Sequence, residues 1–381
     1  MNFDLSDEQL LLKEAVIRFL KDRYPLEERR RIAASPEGFS PGLWKTFAKG
    51  LGILGAGLPE AAGGLGGGAV ETMIIMEALG EALVLEPYLE SAVIGGGFLK
   101  RIAHDGAQKL LGKLVAGDVR LAFAAAEPTA RYAWQDVSTV ARREGEFWSL
   151  SGTKAVVCAA PLATHLIVSA RTAGARRDSF GVSLFLLEAN AVGVTAHGYR
   201  TIDDRRAADL VFDQVRVPAS ALLGEEGNAL SIIEHVMDEA TTAVSAEAVG
   251  AMRRLLHDTI DYAKQRRQFG QPIAQFQALQ HRMVDMYMAL EQAVSAVYLA
   301  TLKLDRPAQE RARAVSAAKV TIGRSGRFIG QNAVQIHGAM GMTDELSVGN
   351  YFKRLTAIEN QFGTVDHHLA RYAALAEAEA A

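Results

Sequence analysis

YAKQRRQFGQPIAQFQ, residues 262–277, joins two long helical patterns. Upstream, the pattern runs back from Arg266 to Asn228 without proline and with one interior glycine, Gly250. At 1.5 Å rise per residue that predicts a rod of about 55 Å. Downstream, Pro272 opens a second helix with the apolar stripe Leu279, Met283, Met286, Leu290, Val294 and Val297, in helical steps. Between the two stand Arg266, Arg267, Phe269 and Gly270. Guanidinium groups grip phosphate bidentately, an aromatic face covers a heteroaromatic ring, and glycine lets a backbone approach a ligand. The same residues also suit an ordinary helix end, with a glycine cap and cations facing the helix dipole. Local chemistry leaves both readings open.

Outward from this junction the chain falls into three textures. Residues 1–118 read as helical. Ser6 and Gln9 form a capping box, Trp44, Phe47 and Leu51 continue an apolar pattern, and a further helix spans Met73 to Leu83. The glycine run at 63–68 follows no strand and lacks the lysine and hydroxyl of a phosphate loop, so it reads as an ordered turn or a mobile loop. Residues 119–225 carry short β-rich runs separated by turn residues, which predict an antiparallel sheet domain. Leu210, Phe212, Val215 and Val217 predict one buried face with a register change near Asp213-Gln214. Residues 226–381 return to helix, with Ala312, Val315, Ala318, Ile322, Ile329 and Ile336 as a third long stripe. The fold class is mainly α with a central β domain.

Composition narrows the function. With 49% apolar and 22% charged residues the chain reads as an ordinary globular protein. A net charge of −3 argues against a nucleic-acid binder. Cys158 is the lone cysteine, so there is no internal disulfide and no thiolate metal site. No run approaches the ~20 apolar residues of a membrane span, and the first residues lack the pattern of a secretory signal. A cytoplasmic address is expected. His337, His367 and His368 lack metal-ligand spacing, and no nucleophile elbow is present.

The helix–sheet–helix order and several motifs resemble the flavin-dependent acyl-CoA dehydrogenase family over essentially the whole chain. The motifs are Leu58-Pro59-Glu60 with Gly63-Gly64, Glu77-Ala78-Leu79-Gly80, Gly152-Thr153-Lys154, Arg266 to Phe276, and Gln335-Ile336-His337-Gly338-Ala339-Met340-Gly341. More narrowly, Ala246 to Gly250, Tyr351 to Leu355 and Phe362 to Leu369 are similar to the small subunits of pimeloyl-CoA dehydrogenases, which pair two different chains in two-plus-two assemblies. The resemblance implies an N-terminal helical domain, a middle antiparallel β-barrel or sandwich and a C-terminal four-helix bundle. It implies FAD-dependent α,β-desaturation of an acyl-CoA thioester, with electron-transfer flavoprotein as acceptor. A dimer or tetramer is implied too, with itself or with a second such chain. In that chemistry a carboxylate removes the α-proton while the β-hydrogen leaves as hydride.

Carried over residue by residue, the nucleotide end of the flavin site is intact. Arg266 and Phe269 match residues that reach a neighbour's FAD, Gln335, Gly338 and Ala339 match a strip along the same dinucleotide, and Thr364 matches a contact from the subunit's own side. The ring end is depleted. Ala126, Val156 and Cys158 stand where the family has a threonine, an aromatic and a threonine, and the turn that meets the thioester is replaced at Thr129-Ala130-Arg131. The base is displaced as well. Phe362 occupies the usual glutamate position, and Ala240 the alternative one on the long helix. Glu239 points about 100° away from Ala240. Glu247 lies two turns beyond Ala240 on nearly the same face, as a candidate base or as a buried glutamate tied to an arginine or a helix end. A catalytic subunit, a catalytically silent partner and an oxidase or monooxygenase of the same fold all remain open.

Overall fold

A computed structural model describes residues 4–102 and 104–380. In chain order the helices α1 (Asp7–Arg23), α2 (Leu26–Ala34), α3 (Pro41–Lys49) and α4 (Ala69–Glu81) come first. A π-helical turn at Leu89–Gly95 leads into α5 (Gly96–Arg101) and α6 (Asp105–Val115). The strands are β1 (Leu121–Ala124), β2 (Val140–Glu144), β3 (Phe147–Cys158), β4 (His165–Arg171), β5 (Val182–Glu188), β6 (Val194–Arg200), β7 (Arg206–Pro218) and β8 (Leu222–Leu223). There follow α7 (Leu230–Gln265), the short strands β9 (Arg267–Gln268) and β10 (Gln271–Pro272), then α8 (Gln277–Lys303), α9 (Ala308–His337), α10 (Val348–Asn360) and α11 (Val365–Ala380). Two compact units result: Met1–Arg30 with Ala69–Val84 and Thr241–Ala381, and Arg31–Gly68 with Leu85–Ala240.

In the first unit α1 begins as its sequence dictates. The Ser6 hydroxyl accepts from Gln9 N, and the Gln9 side chain accepts from Ser6 N. Deeper in, α4 and α7 cross backbone to backbone. A Cβ on Gly250 would overlap the carbonyl oxygen of Glu77, and one on Gly80 would overlap that of Glu247. Only paired glycines permit so close a crossing, and it fixes where Glu247 projects. Helices α8 and α9 pack through Ala300, Leu304, Val315 and Ala318, and α9 also carries α10 and α11.

In the second unit the sheet runs β6-β7-β3-β2-β4-β5-β8, with β1 beside β4. Most pairs are antiparallel, as the spacing predicts. β1 and β4 run parallel, as do β2 and β4, because the chain crosses over to reach β4. Trp148 and Phe185 meet edge to face at 5.3 Å over a core of Leu150, Val168, Phe212 and Val215. Truncating Phe185 to alanine would cost about 3–5 kcal/mol. The register change falls at Asp213-Gln214, with Gln214 at φ 49°. The glycine run is ordered: Leu65, Gly66 and Gly67 donate backbone N–H groups to Gly55, Leu58 and Ala56.

Candidate functional site

The junction folds as a hairpin, not as a glycine-capped helix end. α7 stops at Gln265, and β9 pairs antiparallel with β10, Gln268 opposite Gln271 and Arg267 opposite Pro272. Ile273 N donates to Arg266 O at 2.8 Å and closes the loop. The two central residues, Phe269 at φ 52° and Gly270 at φ 82°, both lie in the left-handed region, as a type I′ turn requires. Asparagine is the usual first residue of such a turn, and a bulky side chain there is strained. Phe269 is nevertheless 91% exposed, and its ring meets Phe276 edge to face at 6.1 Å. Backbone strain that presents an aromatic ring to solvent points to a bound partner. Arg266 and Arg267 are exposed beside it.

The strip at the end of α9 is brought to the same junction. Tyr262, one turn before Arg266, stacks on His337 at 4.3 Å and 27°, and its hydroxyl donates to His337 O at 3.3 Å. Gly338 follows at φ 61° and breaks the helix. Gln335, Gly338 and Ala339 are all exposed. No atom would meet a Cβ on Gly338 within 4 Å, so this glycine serves backbone conformation and leaves open space in front of it. That exposed arginine, aromatic ring and open glycine turn fit a dinucleotide.

Thr364 caps α11, its hydroxyl oxygen accepting from His367 N at 3.3 Å. It lines a cleft of about 480 Å³ with Arg324, Phe328 and Gln331. These three share one exposed face of α9 with Gln335, at steps of four, three and four. The preceding loop keeps a left-handed kink at Phe362, φ 62°, although the residue is aromatic. Two buried groups hold it. Lys319 Nζ donates to Glu359 O at 3.1 Å and Gly363 O at 2.7 Å. His368 Nε2–H donates to Phe362 O at 3.2 Å, and Ser316 Oγ lies 3.4 Å from Nδ1. Burial pulls Lys319 down to about 7, against the attraction of Glu359. Burial and then the Lys319 charge pull His368 down to about 3. Sequence reasoning missed both residues. The signal lay in Lys319 itself, a lone cation on the apolar stripe between Val315 and Ile322.

The candidate base is engaged. Glu247 accepts from Arg354 Nε and Nη2, each at 2.7 Å, and both side chains are buried. Ala240 is buried and inert. Glu239 pairs with Arg101, whose Nη1 donates to it at 2.9 Å. The geometry matches the arginine tie weighed from the sequence. Phe362 has no group that takes a proton.

Around the positions that the resemblance assigns to the ring end, a buried polar network is intact. Lys154 Nζ donates to Glu127 Oε1 at 2.8 Å, Ser169 Oγ at 3.1 Å and Ala125 O at 3.2 Å. Burial opposes the Glu127 charge, yet Lys154, Ser138 and the Thr139 amide outweigh it and hold the carboxyl at about 2. Ala155 N donates to Ala126 O at 2.8 Å, which ties Ala126 to the residue before Val156. Val156 sits in a bulge at φ 51°, 56% exposed, with its N–H donating to Asp209 Oδ1 at 2.8 Å. Cys158 Sγ lies 3.8 Å from Val156 O. Ala126, Val156 and Cys158 offer no hydroxyl to a flavin ring.

Among the described residues no group of three or more His, Cys, Asp or Glu could hold a metal ion, and no helix is long and apolar enough to cross a membrane. The acyl-CoA dehydrogenase N-terminal domain matches residues 6–118, the middle domain 122–215 and the C-terminal domain 230–376. The caffeyl-CoA reductase–Etf complex subunit CarC of Acetobacterium woodii is 30% identical, over 91% of this chain and 92% of that one. The solved FAD complex of PigA is 28% identical, covers all of both chains and superimposes with a TM-score of 0.90. The ChsE4–ChsE5 complex from Mycobacterium tuberculosis is 26% identical, covers 98% of each chain and gives 0.89. Homologues of this kind are FAD-dependent oxidoreductases. Three consecutive domain matches over nearly the whole length, on the same helix–sheet–helix architecture, establish that the chain belongs to the acyl-CoA dehydrogenase family.

Proposed function

We propose that this chain is the nucleotide-gripping subunit of an oligomeric FAD-dependent acyl-CoA dehydrogenase, with the catalytic base supplied by a second chain. One observation carries the reading. Both positions at which the family places its base are inert here, Phe362 and Ala240, and Glu247 is held by Arg354 through both oxygens. FAD, when bound, supplies the two-electron acceptor for the desaturation of an acyl-CoA thioester. Arg266 would hold the diphosphate and Phe269 would cover the adenine, while Gln335, Gly338, Ala339 and Thr364 would line the dinucleotide. Ala126, Val156 and Cys158 leave the ring end without side-chain donors, which is tolerable when another chain completes it.

The ChsE4–ChsE5 complex is a neighbour with two named components, and CarC is a subunit of a reductase–Etf complex. The first supports a heteromeric assembly, and the second supports an electron-transfer flavoprotein as the electron partner. The resemblance to small subunits of pimeloyl-CoA dehydrogenases suggests the same pairing and an acyl group that is bulky or bears an ω-carboxylate. The test is purification with and without the product of a neighbouring gene of the same family. The chain alone should be colourless or weakly yellow. The assembly should be yellow and should bleach with an acyl-CoA. A chain that is flavin-saturated alone and bleaches with acyl-CoA overturns the proposal and returns Glu247 to the role of base.

A further inference from the structure

Two strips assigned to the nucleotide end of FAD lie far apart in sequence, Arg266 with Phe269 and Gln335 with Gly338 and Ala339. The first is an exposed two-residue turn, and the second is a glycine break at a helix end. What joins them is a pair of rings that the assigned contacts do not include. His337 is buried and is the last residue of α9. Its Nδ1–H donates to Ala333 O at 2.8 Å, which pins the ring to its own helix and fixes the tautomer. Burial lowers its pKa, against the backbone bond to Ala333 and the charge of Asp258, so the imidazole is neutral at neutral pH. Tyr262 lies face to face with that ring at 4.3 Å and also donates to the His337 carbonyl at 3.3 Å. The amide of Arg266 donates in turn to Tyr262 O at 2.8 Å. From Ala333 to Arg266 the links are unbroken, and each is a stack or a directed hydrogen bond.

We infer that Tyr262 and His337 are positioning residues that set the spacing between the arginine hairpin and the glycine turn, and so set affinity for the adenosine diphosphate half of FAD without touching it. This rests on the nucleotide-end reading given above. A flat ring in place of Tyr262 keeps the stack and loses only the hydroxyl bond. An aliphatic side chain loses both.

The experiment measures ADP and FAD affinity of the assembled protein by equilibrium dialysis, alongside thermal unfolding without ligand. Tyr262→Phe should bind ADP within about twofold of wild type, and Tyr262→Leu about tenfold more weakly, in line with the worth of an aromatic stack. His337→Leu removes the stack from the other side and should match Tyr262→Leu, which keeps the test alive if either variant folds poorly. Equal ADP and FAD affinity in wild type, Tyr262→Leu and His337→Leu overturns the inference, as does an equal loss in Tyr262→Phe. Arg266→Ala is the control. If it leaves ADP binding unchanged, the nucleotide-end reading itself falls. If it weakens binding while the ring variants do not, only the positioning role falls.

Discussion

Arg354 holds both oxygens of Glu247, Nε to Oε1 and Nη2 to Oε2, each at 2.7 Å. Fork-to-fork pairing of this kind is the strongest geometry a guanidinium offers. It is also expensive to break when buried, because the survivor keeps an uncompensated charge. Glu247→Gln should therefore lower unfolding free energy by about 3–5 kcal/mol, read from urea denaturation. The double replacement Glu247→Leu, Arg354→Met should recover most of that loss. Loss of turnover in Glu247→Gln with unchanged stability would show a base and not a tie.

Phe269 holds a left-handed conformation that asparagine adopts at lower cost. Phe269→Asn should stabilise the ligand-free protein by roughly 0.5–1 kcal/mol, the size of a relieved backbone conflict. The same change should weaken FAD binding about tenfold through the lost ring contact. Opposite signs in the two measurements are the signature of strain kept for function. If both rise or both stay flat, the exposed ring has no role in the cofactor site.

Lys319 and His368 make stability depend on pH in a definite direction. Both are cations that burial disfavours, from 10.5 to about 7 and from 6.5 to about 3. Between the folded and unfolded values the unfolded chain binds a proton that the native chain does not, so stability rises with pH across each window. For Lys319 the rise runs from pH 7 to 10.5, at up to ~1.4 kcal/mol per pH unit. Below pH 7 the slope ends and the full burial penalty is present. The difference in unfolding free energy between wild type and Lys319→Met, followed from pH 7.5 to 9.5, should carry this slope. A flat difference shows that Lys319 is charged throughout.

The sequence spoke clearly where structure is local. The Ser6–Gln9 capping box, the long rod before Arg266 and the register change at Asp213-Gln214 are short-range features, readable from spacing. It was silent where partners are distant. Arg354 lies 107 residues from Glu247, and nothing near either residue names the other. A glycine inside a strand reads locally as a break, yet β3 runs from Phe147 to Cys158 across Gly152, and a register shift there keeps it paired with β7. The hairpin at Phe269-Gly270 was hidden for another reason. Phenylalanine so seldom begins a type I′ turn that helix capping was the simpler expectation for that glycine. Strained sites mislead local rules because other contacts hold them in place.

The ring end allows the most direct repair. By the resemblance, Ala126 and Cys158 stand where the family has threonines, and the backbone that carries them is tied down. Ala155 N donates to Ala126 O, and the Lys154–Glu127 pair fastens the two segments. Ala126→Thr with Cys158→Thr adds two hydroxyls to a backbone already in place, and Val156 keeps the bulge between them through Asp209. A hydrogen bond to a polar ring contributes about 0.5–1.5 kcal/mol. Two should therefore raise FAD affinity by roughly 5- to 150-fold, measured by flavin fluorescence, while leaving ADP affinity unchanged. Turnover should not appear, since Phe362 and Ala240 still hold the base positions. Adding Phe362→Glu to the pair then asks whether the kinked loop, held by Lys319 and His368, can aim a carboxylate at a substrate. Acyl-CoA bleaching of the flavin in the triple variant, absent in the double, would show that this chain lacks only its ring contacts and its base. No bleaching in the triple variant would mean that the acyl site itself has been lost.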